Sequence, residues 1–381
     1  PKCGVSESIS VHETKLDSSP MEKSVVFGGP KNDTVYLITV KKTLYLSTDG
    51  GKTFNVKSLP SSAGLTTYGP RMVLFTADSN VHVVVGSKKE LWITRDNGLN
   101  FQQVNPPADI SALKIHPDFP NYFLVLCLPT EGIGRFQIHD LFYTNDAGQT
   151  WNKIDQNVRD AAWVQVGALS KDVKGIIYDR HNPIRTSATY ELMYTPDFGG
   201  DKRILQYFER GFLYDPYSHA VFAAVGHKDD LDSLDLMVAF DNAEGKYDFI
   251  DMQFPTPLEE RRYTIIDTRE GATFISVEHE GGDMPFSYNY GSIYMSDGLD
   301  QRFVRSLDYN HRSSDGRVDF ERILCLDGVY IANKVDPETQ YITSYISFDK
   351  GGEWSRITLS SSECRGSSEC YLNLIGRTSN S

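Results

Sequence analysis

Apolar residues recur along this chain in short alternating runs closed by turn residues. "DTVYLITV" (33–40), "VHVVVG" (81–86), "YFLVLCL" (122–128), "HAVFAAV" (219–225), "ATFISVEH" (272–279) and "GVYIANKV" (328–335) are of this kind. Each is rich in Val, Ile, Tyr and Phe with a period near two, the signature of a strand. Convincing helix periodicity is absent throughout. A second set of runs reads "LYLS", "LWIT", "LFYT", "LMYT", "LMVAF", "IYMS" and "YISF". After these the chain writes nearly the same turn again and again: "STDGGKTF" (47–54), "TRDNGLNF" (94–101), "TNDAGQTW" (144–151) and "SFDKGGEW" (347–354). "TPDFGG" (195–200), "AFDNAEGKY" (239–247) and "MSDGLDQRF" (295–303) are decayed copies.

Aligned on the acid, the boxes place Asp49, Asp96, Asp146, Asp197, Asp241, Asp297 and Asp349 at spacings of 47, 50, 51, 44, 56 and 52 residues. A period of that size marks stacked units, and three or four strands per unit without helices predict an all-β Asp-box propeller. No linker or low-complexity break divides the chain, so 1–381 reads as a single propeller domain or the N-terminal part of one. In each turn the Asp carboxylate can accept backbone N–H groups, Gly supplies positive φ, and the closing Phe or Trp can plug the gap between neighbours. That reading makes the box aspartates structural rather than catalytic or calcium-binding.

Composition narrows the function classes. The chain is 40% hydrophobic and 23% charged, with 21 Tyr and 20 Phe, ample material for a large core. A net charge of −13 argues against broad binding to nucleic acid or anionic membranes. No apolar run approaches the roughly 18 residues of a membrane-spanning helix. The chain starts at Pro1 rather than Met, which suggests a processed or trimmed piece.

Five cysteines are few. Cys364 and Cys370 share the polar stretch "ECRGSSECYL", which suits a local disulfide loop over 364–370. Cys127 and Cys325 lie in apolar runs and read as buried thiols; Cys3 is left over. The sequon Asn32-Asp33-Thr34 makes Asn32 a candidate glycosylation site in a secretory setting. No G-x-S-x-G, HExxH, P-loop or Rossmann fingerprint is present, and the nine histidines show no metal-ligand spacing. Neither metal, cofactor nor catalytic residue is expected.

Box turns of this type occur in sialidases, xyloglucan-degrading propellers, a photosystem assembly factor and sortilin-type sorting receptors. The last hundred residues choose among them. "DFERILCLDGVYIANKV", "YISFDKGGEWSRI" and "SSECRGSSECYLNL" follow one another in an order that resembles the propeller of the sortilin family. The resemblance covers nearly the whole chain. It implies the first seven or eight blades of a ten-bladed propeller, followed in the family by cysteine-rich modules and a membrane span. It further implies a Cys364–Cys370 disulfide, and Cys3 is similar to a family cysteine that reaches a distant partner.

By this resemblance the chain is a luminal or extracellular receptor propeller that binds protein or peptide cargo for Golgi and endosomal trafficking. Membrane attachment would come through a segment outside it, and homo-oligomers are compatible. The alternatives are a sialidase-like glycoside hydrolase and a non-catalytic assembly-factor propeller. The first lacks the arginine motif near its first strand, for which "NPIRT" (182–186) is a poor substitute. The second is not favoured by the C-terminal block.

In the sortilin family an arginine on an inner strand holds a peptide carboxylate. Carried onto "VFAAVGHKDDLDSLDLMVAFD", that blade places Phe222 and Ala224 on one wall, Leu234 and Leu236 on the next, and Tyr263 and Thr264 on the following repeat. Leu234 falls where the arginine is expected, with Lys228, Arg261 or Arg262 as substitutes. The expected pocket is therefore more apolar than the family's and suited to an internal hydrophobic segment. Ordinary blade core is the competing reading for Phe222, Leu236 and Tyr263. His227 and His279, with Asp229 or Asp230 nearby, are candidates for cargo release near pH 6.

Overall fold

Strand pairing explains why the box turn recurs. Each box follows the third strand of an antiparallel sheet and delivers the chain to the fourth. The computed structural model describes residues 11–17, 21–60, 70–129, 138–164, 175–182, 190–208, 211–215, 220–226, 233–240, 247–255, 258–259, 263–278, 290–297, 302–313, 316–324, 326–359 and 370–374. All regular structure among them is β, and no helix long and apolar enough to cross a membrane occurs.

The chain divides into two compact units, Ser6–Tyr207 and Phe208–Ser381. In the first, β1 (Met21–Gly28), β2 (Thr34–Thr39), β3 (Leu44–Ser47) and β4 (Asn55–Lys57) pair in sequence order. So do β5 (Pro70–Phe75), β6 (His82–Gly86), β7 (Leu91–Thr94) and β8 (Gln102–Val104). The next two repeats share one seven-stranded sheet made of β9 (Ile110–Ile115), β10 (Phe123–Cys127), β11 (His139–Thr144), β12 (Asn152–Val164), β13 (Gly175–His181), β14 (Tyr190–Thr195) and β15 (Arg203–Phe208). They merge because β12 runs 13 residues, closing one blade and opening the next across an irregularity between Val158 and Ala161.

In the second unit, β16 (Gly211–Asp215), β17 (Ala220–Gly226), β18 (Ser233–Phe240) and β19 (Ile250–Asp251) form one blade, with β20 (Leu258–Glu259) also paired to β18. Then come β21 (Tyr263–Asp267), β22 (Ala272–Val277), β23 (Tyr290–Asp297) and β24 (Val304–His311). The last group is β25 (Phe320–Arg322), β26 (Tyr330–Val335), β27 (Ile342–Ser347) and β28 (Ser355–Arg356), joined to the previous blade through Asn310 and Lys334. These are the four-stranded blades of an all-β propeller.

Middle strands such as β2, β6, β10 and β14 are buried along their whole length. A blade flanked on both faces has no solvent face for its inner strands, so these read as nearly continuous apolar runs rather than strict alternations. Cores form between successive blades: Val83, Val85, Leu91 and Ile93 pack with Leu113, Phe123 and Val125. Cys127 sits in that core as a free thiol, its pKa pushed up to about 11 by burial. Asn32 is exposed in the turn after β1, while Thr34 is fully buried and donates to Asn97. Cys370 is disulfide-bonded; Cys364, expected opposite it, lies outside the described residues, as do Cys3 and Cys325.

Candidate ligand groove

The box aspartates are occupied by their own turns. In the first box the Asp49 carboxylate accepts the hydroxyl of Thr53 at 2.6 Å, the Thr53 and Lys52 amides at 2.9 and 3.0 Å, and the Ser47 hydroxyl at 2.7 Å. Those bonds, the Thr53 hydroxyl first, hold its pKa well below the usual carboxylate range. Asp146 repeats the pattern with Thr150 and Thr144, burial opposing the downward shift and the hydrogen bonds outweighing it. Asp96, Asp197 and Asp349 are held in the same way and shifted in the same direction. Asp241 and the side chain of Asp297 lie outside the described residues.

The hydroxyl two residues before each Asp is the part of the motif that sequence reasoning missed. Ser47, Thr94, Thr144, Thr195 and Ser347 each donate to the Asp and accept the amide of the Gly four residues on, at 2.7–2.9 Å. Those glycines adopt positive φ, 80° at Gly148 for example, directly after another left-handed residue, Ala147 at 56°. Only Gly reaches this conformation at low cost. The signal was present as Ser or Thr at a constant offset, S/T-x-D-x-G.

Ligand-sized space opens elsewhere, between the blade of β16–β19 and that of β21–β24. Alternation on β17 turns Ala220, Phe222 and Ala224 to one face, where they meet Leu234, Leu236 and Val238 of β18. Opposite stand Ile275, Val277, Tyr294 and Phe303, with Tyr263 and Ile265 against them. Toward β16 the packing thins, because Gly211 and Ala224 are register partners and neither fills the space. A groove of about 280 Å³ remains, lined by Gly211, Phe212, Leu213, Phe222, Ala224, Leu236, Tyr263, Thr264 and Ile265.

Five of the six candidate residues therefore converge on one groove. Phe222, Ala224 and Leu236 form its floor, with Phe222 only 2% exposed, so these three also belong to the blade core. Half-buried Tyr263 and Thr264 form a wall, and the Thr264 hydroxyl donates to the Gly316 carbonyl at 2.9 Å. Leu213, 43% exposed, stands at the mouth. Leu234 does not line the groove. It shares the face of Leu236 but sits two residues back along β18, paired with Leu258 of β20 and buried in the core. No charged side chain is among the described lining residues. Lys228, Arg261, Arg262, His227, His279, Asp229 and Asp230 lie outside the described residues.

Sequence reading overlooked Gly211, Phe212, Leu213 and Ile265 as lining residues. The run "GFLYD" carried a strand signal, but too few residues separate it from its neighbours for a clear alternation. β16 and β21 end their sheets among the described strands, so each offers one free edge beside the groove.

A family model described as Sortilin, neurotensin receptor 3 (Sortilin-Vps10) matches residues 42–381. The chain belongs to the Sortilin-Vps10 family. Its relatives include the vacuolar protein sorting/targeting protein 10 of Schizosaccharomyces pombe, 26% identical over 378 residues, which cover 92% of this chain and 24% of that protein. The protein of the same name in Blastomyces gilchristii is 25% identical over 345 residues, covering 86% of this chain and 22% of its own length. The chain thus spans about a quarter of the relatives it matches. Among solved structures, YCF48 from Cyanidioschyzon merolae aligns over 88% of this chain and 95% of its own with 11% identity and a TM-score of 0.43. Among the described residues of this Sortilin-Vps10 chain, no group of three His, Cys, Asp or Glu side chains is placed to hold a metal ion.

Proposed function

We propose that this Sortilin-Vps10 propeller is the cargo-binding part of a sorting receptor, and that the groove between β16 and β21 takes an extended apolar segment of a protein or peptide. Family membership supports the receptor role, and the relatives' shared name, vacuolar protein sorting/targeting, supports a route through the secretory pathway lumen. The Golgi, endosome or cell surface is then its place, and a segment outside this chain attaches it to the membrane. Catalysis forms no part of the reading: the repeated acids are consumed by their turns.

One observation carries the ligand class. The described groove lining is apolar apart from one threonine and one tyrosine, and it lies beside two sheet edges. A bound strand could pair its backbone with an edge and seat alternate apolar side chains in the groove, the strand-addition mode of peptide recognition. With Leu rather than a cation at 234, and Leu234 itself in the core, a peptide carboxylate gains nothing there.

Fluorescence polarisation with a set of labelled apolar decapeptides, each with a free and an amidated C-terminus, tests this. Both forms should bind alike. Leu213→Asp, which puts a charge at the exposed mouth, and Tyr263→Ala should each weaken binding by a hot-spot amount, about 2 kcal/mol or thirtyfold. Phe222→Ala is the poorer probe because it also hollows the core. Wild-type affinity in both variants, or a strict need for the free carboxylate, would overturn the reading.

A further inference from the structure

A second cavity, of about 440 Å³, opens on the blade of β26–β28 and shares no residue with the apolar groove. Its chemistry is the opposite. The strand register puts Lys334 opposite Thr343 and Tyr345 opposite Arg356, so these side chains share one face of the sheet. Tyr345 organises the two cations: Lys334 Nζ lies 5.2 Å from its ring centre, and Arg356 Nε donates to its hydroxyl at 3.3 Å. Arg356 is stacked in turn over Tyr371, 4.7 Å from the ring centre. Among the described residues neither cation has a carboxylate within ion-pair distance. The acid in the lining, Asp336, accepts the Glu338 and Thr339 amides at 2.9 Å each in its own turn and also feels the charge of Arg356, from which it stands beyond ion-pair distance. In a chain of net charge −13, two cations held by aromatic rings in a concave site form a focus for an anion.

The walls add a second requirement. Tyr341 and Tyr309 are 74% and 42% exposed at the cavity. Tyr309 has φ of 56°, a conformation uncommon for a bulky side chain, at an irregularity in the pairing of β23 with β24. Such backbone strain persists only where the surroundings enforce it, here with the Tyr290 ring packed edge-on at 5.4 Å, and it tends to gather at ligand sites. Exposed tyrosine planes suit the C–H face of a sugar ring, and Thr343 in the lining offers a hydroxyl, while the Thr339 hydroxyl is engaged by Asp336 and Asn373 Oδ1 accepts the Ser344 amide at 3.2 Å.

We infer that this cavity is a binding site for an anionic sugar residue of a glycan. The pyranose stacks on tyrosine, and its carboxylate or sulfate sits between Lys334 and Arg356. Val335, Pro337 and Ile342 are the aliphatic members of the described lining, and the other nine residues are aromatic, polar or charged, which favours a polar ligand with a stacking face over a hydrophobic peptide; the arrangement does not depend on the cargo groove.

The test is calorimetric titration of the whole chain with 3′-sialyllactose, a hyaluronan tetrasaccharide and a heparin-derived tetrasaccharide, with lactose as the neutral control. At least one anionic probe should bind, more weakly as salt is raised, and lactose should not. The carboxylated and sulfated probes tell which anion is preferred. Lys334→Met and Arg356→Met should each reduce affinity about tenfold or more, the loss of one charge-assisted contact. Tyr341→Ala, at an exposed position that leaves the fold intact, should weaken it as well. Leu213→Asp should change nothing, which separates this site from the groove. Failure of every anionic probe to bind, equal binding of lactose, or unchanged affinity in the Lys334→Met/Arg356→Met double variant would overturn the proposal.

Discussion

His82 gives the propeller a stability that depends on pH between neutrality and the acidity of endosomes. The ring is fully buried on β6. Its Nε2 lies 2.8 Å from the Ser79 carbonyl oxygen, which can only accept, so Nε2 carries the hydrogen. Nδ1, 2.8 Å from the Tyr36 hydroxyl, is then the acceptor, and both nitrogens are satisfied in the neutral ring. Phe75 and Tyr36 pack against the ring at 4.5 and 5.5 Å. Burial lowers the pKa below its ordinary value, only partly countered by the Ser79 carbonyl and the charges of Asp78 and Asp96. The sign follows: a depressed folded pKa means that the unfolded chain binds the proton more readily. Stability is then full above about pH 6.5 and falls as pH drops below it. If the folded ring stays neutral, the loss between pH 7.5 and 5.5 reaches about 1.4 kcal/mol. In His82→Gln the amide oxygen can accept from Tyr36 and the amide N–H₂ can donate to Ser79 without titrating. Urea unfolding followed through the fluorescence of Trp92, buried in the same cluster as Tyr36, should show this extra loss in the wild type and not in the variant. Identical pH slopes for the two proteins would refute the neutral-ring argument.

Asp179→Ala should destabilise the blade that begins within β12 by about 3–5 kcal/mol in the same unfolding assay, because the buried carboxylate pairs with Arg159 and accepts the Arg159 and Asp160 amides freed at the bulge. A change under about 1 kcal/mol would show that the bulge needs no carboxylate. Thr144→Val keeps the shape of a fully buried side chain but strips the Gly148 amide and the Asp146 carboxylate of a partner, at a cost of about 1–3 kcal/mol. The box carboxylates have lowered folded pKa values, so their contribution is present above about pH 4 and is lost as pH falls further. A melting temperature flat from pH 4.5 down to 2.5 would contradict that reading.

Fold class and the box repeat were legible because both are local. A strand announces itself by alternation within six or seven residues, and the box turn carries its hydrogen-bond partners, such as Ser47, Asp49 and Thr53, within one turn. Repetition every 50 or so residues then multiplied a weak signal into a clear one. The groove lining was placed differently: Phe222, Ala224 and Leu236 came from the resemblance to the sortilin family, and strand alternation set only which of their neighbours share a face. Whether those side chains meet ligand or core was not local. Leu234 and Leu236 are equivalent by alternation, and only the arrival of β20, with Leu258 over Leu234, separates them. The groove exists because Gly211 and Ala224, 13 positions apart, become register partners and leave space unfilled. The cavity of Lys334, Tyr345 and Arg356 is of the same kind: three unremarkable residues on successive strands share a face once the register is set. Turns are written in neighbouring residues, whereas cavities are written in what distant strands fail to fill, and that was decided only by tertiary structure.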